Sequence, residues 1–155
     1  MQRTSVRVLA CLIGAAASLV SAQALVQLDP FAQATHGHPA CAEQRPPMMT
    51  AEEARTEAHV RVERGTRCAM EGTCEPGGAY RRDPEINARV RDLIAADPRY
   101  AGTSVWVTTT RQWVTLQGCV LRKAQRLELV RLVSRAAGVT RVFDELRIVE
   151  AHARR

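Results

Sequence analysis

From Val105 to Gly118, "VWVTTTRQWVTLQG" alternates apolar and polar residues on both sides of a short polar break, the pattern of two half-buried strands joined as a hairpin. With Thr110-Arg111 at the tip, Val107 lies opposite Val114 and Val105 opposite Leu116, an aliphatic face suited to a core. Trp106 and Trp113, the only two tryptophans of the chain, share the other face. In that register Trp106 faces Thr115, Trp113 faces Thr108, and the indoles are diagonal neighbours about 7–8 Å apart. On either side the period changes to that of a helix. Ile86, Val90, Leu93 and Ile94 recur behind Asp83-Pro84-Glu85, which reads as an N-cap, a proline at the first helical position and an early acid, and Asp97-Pro98 ends the run. After the hairpin, Ala124, Leu127, Val130, Val133 and Ala137 mark a buried stripe and Gly138 a C-terminal cap. Val139 to Val149 reads as a last strand. The order helix, strand, strand, helix, strand predicts an α/β unit of the two-layer α+β kind, with two helices on the aliphatic side of a three-stranded sheet. Nothing in the pattern covers the other side.

The first half is less regular. "MQRTSVR", the 13-residue apolar run "VLACLIGAAASLV" and the small-x-small ending Ala22-Gln23-Ala24 predict a signal peptide over 1–24, since the run is shorter than the ~20 residues that span a bilayer. Residues 25–49 read as a linker, with proline, glycine and no sustained period. Thr50 and Glu53 form a capping-box pair ahead of a thin stripe, Ala51, Ala54, Ala58 and Val62, which Gly65 can terminate. Cys68 and Cys74, six apart around Gly72, then pin a loop, so that 50–82 is a short helix and a cysteine-pinned loop. Residues 150–155 are a basic tail.

Charge narrows the partners. The chain holds 22 basic and 16 acidic side chains, and removal of Arg3 and Arg7 with the leader leaves about +4. Residues 25–82 carry seven basic and eight acidic groups, whereas residues 83–149 carry eleven and seven, so the excess lies in the regular half. A basic surface outside the cytoplasm suits lipid headgroups or an acidic protein, and the leader conflicts with nucleic acid.

"DPEINARVRDLI", "VWV", "WVTLQGCV", the Ala-x-Arg of "KAQR" and "GVTRVFDELRIV" together resemble the BON domain, named for bacterial osmotic-stress and nodulation proteins. The resemblance covers Asp83 to Val149. It implies a helix-strand-strand-helix-strand fold with a mixed sheet, mostly in envelope proteins that bind phospholipid or other envelope components, with no catalytic residue. Gln112 stands where the family's hairpin usually has glycine, and Asp144 where it usually has asparagine.

Four cysteines follow the leader, which permits three pairings in an oxidising compartment. Cys68 to Cys74 is the local bridge, leaving Cys41 to Cys119. Cys119 shares strand parity with Trp113, so that bond would draw the N-terminal segment across the tryptophan face. Two fates for the indoles follow: covered by the helix stripe and pinned loop as a second small core, or partly exposed as an apolar contact. Arg122, Lys123, Arg126, Arg131 and Arg135 make the second helix basic, with Arg122 and Arg126, and Arg131 and Arg135, grouped on its outer surface. They and the tryptophans Trp106 and Trp113 are the candidate ligand-binding residues, for anionic phospholipid or an envelope protein. His36-Gly37-His38 with Cys41 is a weak metal pattern that the disulfide would abolish, so no metal or cofactor is expected. His59 and His152 stand without a nucleophile or paired carboxylates. The chain therefore reads as a non-enzymatic periplasmic envelope protein contacting phospholipid or an envelope component; an adaptor that joins envelope proteins without touching lipid is the alternative.

Overall fold

The structure is a computed structural model that describes residues 24–149; the predicted signal peptide and the basic tail lie outside the described residues, apart from Ala24. The elements follow as β1 (Leu25–Val26), β2 (Phe31–His36), β3 (Met49–Thr50), α1 (Ala51–Met70), α2 (Asp83–Ala95), β4 (Ser104–Thr110), β5 (Trp113–Val120), α3 (Lys123–Ser134) and β6 (Arg141–Ile148), with a 3-10 turn at Pro98–Tyr100. The predicted α+β order of the second half holds. Its sheet is mixed, with β4 antiparallel and β6 parallel to β5. The sheet has four strands, not three, because β2 joins it antiparallel to β4 in the order β2-β4-β5-β6. That strand comes from the segment expected to be a linker. "FAQATH" carries no clean alternation, and it is held by partners distant in sequence: Asn87 Nδ2 donates to the Pro30 and Val107 carbonyls at 3.1 and 3.0 Å, and Thr35 Oγ1 lies 2.8 Å from Thr103 Oγ1.

Both α2 and α3 lie on one face of the sheet, α2 against β2 and β4 and α3 against β5 and β6. Between them Ile86, Val90, Ile94, Tyr100, Val105, Val107, Val114, Leu116, Leu129 and Val133 are fully buried. The predicted stripe of α3 is displaced. Leu129 and Val133 face the core with Gln125, whereas Ala124, Leu127 and Ala137 are exposed. Gln125 is drawn inward because its amide accepts from Leu121 N at 2.8 Å and donates to the Arg99 carbonyl at 2.6 Å, which no hydrophobic period reveals.

The extension also differs from its expectation. Helix α1 runs for 20 residues from the predicted Thr50–Glu53 capping box and passes straight through Gly65. A Cβ on Gly78 would come within 2.6 Å of Gly65 Cα, so this glycine serves a close backbone approach rather than a helix stop. Only Ala54 and Gly65 of α1 are buried, and Ala51, Ala58 and Val62 are exposed. An Arg61 ion pair to Asp29 at 2.8 Å and the stacking of Arg61 on Tyr80 at 4.5 Å attach the helix instead.

Candidate functional site

The hairpin turns one residue later than its alternation suggests. Thr110 pairs with Trp113, Val107 with Leu116 and Trp106 with Gln117, so the tip is the two-residue turn Arg111-Gln112 with φ of 56° and 64°. Faces survive that shift because the parity is unchanged, and Val105, Val107, Val114 and Leu116 do line the core. Spacing does not. The indoles lie four residues apart along the hairpin, about 13 Å by strand rise, and are not neighbours.

They also differ in surroundings. Trp106 is only 5% exposed. Its ring lies over Gly118, whose φ of 111° suits glycine and where a Cβ would meet Trp106 Cε3 at 2.9 Å and the Ser104 carbonyl oxygen at 2.1 Å. Beside it, residues 37–41 cross the outer face: His38 N donates to Ser104 Oγ at 3.0 Å, Ser104 Oγ donates to the His38 carbonyl at 3.2 Å, and Cys41 is bonded to Cys119. Cys68 is bonded to Cys74, so both proposed bridges are present. The segment expected as linker does the covering at this end, rather than the α1 stripe or the pinned loop. Trp106 is therefore not available as a surface contact.

Trp113 is half-buried at the tip. Phe143 of β6 meets it edge-on at 5.8 Å between centroids, and the guanidinium groups of Arg111 and Arg141 lie 4.9 and 5.4 Å from its ring centre. Arg141 also lies 5.9 Å from the Phe143 ring. Among the described residues neither arginine lies within ion-pair distance of a carboxylate, and both charges are held over aromatic rings. The far wall of the cleft beside Arg111 is α1, through Val60, Glu63, Arg64 and Arg67. Arg111, Arg141 and Phe143 were not among the predicted site residues. A shared strand parity with Trp113 and the parallel pairing of Trp113 with Arg141 bring the group together, and that pairing is a tertiary fact.

The five basic residues of the second helix do not form one patch. Arg122 and Lys123 start α3, whereas Arg131 and Arg135 end it, about 12 to 20 Å away by helix rise. Thr140 N donates to the Gln112 carbonyl at 3.0 Å, which brings the end of α3 toward the hairpin tip and leaves Arg122 and Lys123 at the opposite end. Arg126 is occupied: its Nε donates to Asp144 Oδ2 at 2.7 Å and its Nη2 reaches the Asp144 carbonyl at 3.5 Å. Asp144 Oδ1 accepts from Leu146 N at 3.1 Å. The pair thus satisfies backbone groups of β6, the strand at the sheet edge, and guards it against pairing with another chain.

The second half is thus a helix-strand-strand-helix-strand unit whose last strand is parallel to its neighbour, with an aromatic-arginine cluster at one end of the outer face and the other end covered. A family model of the BON domain matches residues 82–150, and that stretch of the chain is a BON domain. No curated protein matches the chain. BON domains are generally non-catalytic and associate with phospholipid and the cell envelope. The two disulfides suit an oxidising compartment, and among the described residues no helix is long and apolar enough to cross a membrane.

Proposed function

We propose that this protein is a non-enzymatic, periplasmic binding protein whose BON domain contacts anionic phospholipid at the hairpin tip, through Trp113, Phe143, Arg111 and Arg141, with Arg131 and Arg135 adding charge from the end of α3. The observation that carries the reading is the pair of guanidinium groups on one half-exposed indole, without ion-pair partners among the described residues. Aromatic rings of this kind rest at the level of lipid headgroups, and the arginines beside them meet phosphate. The leader-like sequence at the start of the chain supports the compartment.

Co-sedimentation of the oxidised protein with vesicles containing phosphatidylglycerol tests it. Binding should weaken with salt, and each of Arg111→Ala and Arg141→Ala should reduce it about fivefold, since a basic residue near an anionic surface is worth about 1 kcal/mol. Arg126→Ala should not lower the affinity of the folded protein. Absence of binding at low salt would overturn the lipid reading in favour of a protein adaptor.

A further inference from the structure

Asp83 looks in sequence like the N-cap of the helix that follows, but the cap position belongs to Arg82 and Asp83 is already inside α2. Its side chain is 2% exposed and faces the hairpin tip. One carboxylate oxygen accepts from Arg111 N and the other from Gln112 N, each at 2.7 Å. Both of these turn residues have left-handed φ, and neither is the glycine or asparagine that such a turn ordinarily takes. The charges facing Asp83 from neighbouring elements are Asp29, ahead of β2, and Arg61 of α1. Those two are paired with each other at 2.8 Å. On its own helix, Glu85 pairs with Arg89 and lies 3.5 Å from Arg82. The carboxylate is thereby committed to the two amides of the turn.

We infer that Asp83 is the positioning residue of the hairpin-tip site: by holding both amides of a left-handed turn that lacks glycine, it sets the direction in which Arg111 and Trp113 are displayed. The inference rests on the phospholipid reading for its consequence and on the hydrogen bonds alone for its geometry. A dedicated carboxylate does here what backbone freedom would do in a glycine turn. It leaves both turn positions able to carry functional side chains, and Arg111 uses one of them.

Asp83→Asn is the direct test, because it keeps the shape and turns an amide N–H toward a backbone N–H. In nitrogen-proton correlation spectra, the Arg111 and Gln112 amides and the Trp113 indole N–H should shift while the Trp106 indole stays in place. Affinity for phosphatidylglycerol vesicles should fall about fivefold, comparable to losing one headgroup-contacting arginine. Adding Gln112→Gly to Asp83→Asn should restore both the indole signal and the binding, since glycine adopts the left-handed turn unaided. A variant that melts earlier yet keeps the Trp113 signal and the affinity would reduce Asp83 to a structural role, as would failure of the Gln112→Gly rescue. If Asp83→Asn does not fold, the wild type decides: the Asp83 carboxyl carbon, the two amides and the Trp113 indole should titrate with one midpoint, and independent midpoints overturn the inference. Wild-type protein that ignores vesicles would end the lipid reading while the indole and amide signals still judge Asp83.

Discussion

At the base of the β4–β5 hairpin Trp106 is sealed, and at the tip of the same hairpin, on the same face, Trp113 stays half-open. The base is closed by residues from 31 to 41: β2 pairs beside β4, His38 bonds Ser104, and the Cys41–Cys119 bridge crosses the face. At the tip no segment crosses the ring of Trp113: Arg111, Arg141 and Phe143 surround it, and α1 stands only as the far wall of the cleft beside Arg111. Strand parity decides which face a side chain points to, but cover comes from chain that is remote in sequence. The same residue type thus serves as core at one end and as candidate contact at the other.

The sharpest way to break this contrast is truncation. Trp106→Ala should cost about 3–5 kcal/mol as a buried aromatic, while Trp113→Ala should cost below about 1.5 kcal/mol, both read from urea unfolding midpoints. Equal losses would remove the distinction between base and tip. Replacing Cys41 and Cys119 together by serine opens a loop with a sequence separation of 78. Chain entropy puts the loss at about 4.5 kcal/mol at most. In a Trp113→Phe background the double serine variant should raise acrylamide quenching of Trp106, whereas vesicle binding of the otherwise wild-type tip should persist.

A smaller effect is expected at the turn. Gln112→Gly relieves a left-handed non-glycine residue, and this outweighs the freedom that glycine adds to the unfolded chain, so the folded protein should gain up to about 1 kcal/mol. Any destabilisation would mean that the Gln112 side chain packs usefully at the tip. The smallest effect is the pH dependence of Asp83. Burial raises its pKa above 3.8, against the lowering effect of its two amide hydrogen bonds. The folded chain therefore holds this proton to a higher pH than the unfolded chain does. Its stabilising contribution is complete below the unfolded value and is lost as pH rises through the folded one. Relative to Asp83→Asn, wild-type stability should decline across that window and then level off, as followed by urea melts at successive pH values. A rise instead would show the amide bonds outweighing burial.

What the chain disclosed by itself was whatever repeats locally or pairs by simple constraint. Alternation placed Val105, Val107, Val114 and Leu116 in the core, helical spacing found Ile86, Val90 and Ile94, and Thr50 with Glu53 marked the start of α1. Four cysteines with one short spacing were enough for both bridges. Tertiary structure alone decided the fourth strand, the turn at Arg111-Gln112, the inward Gln125, the commitment of Arg126 to Asp144 and the grouping of Arg111, Trp113, Arg141 and Phe143. Each of these rests on a hydrogen bond, strand pairing or ion pair between residues well apart in the chain, or on a backbone conformation that such contacts enforce. Periods of 2 and 3.6 record which way a side chain points along its own element. They carry no record of a carboxylate that waits 28 residues upstream for a turn, as Asp83 does for Arg111.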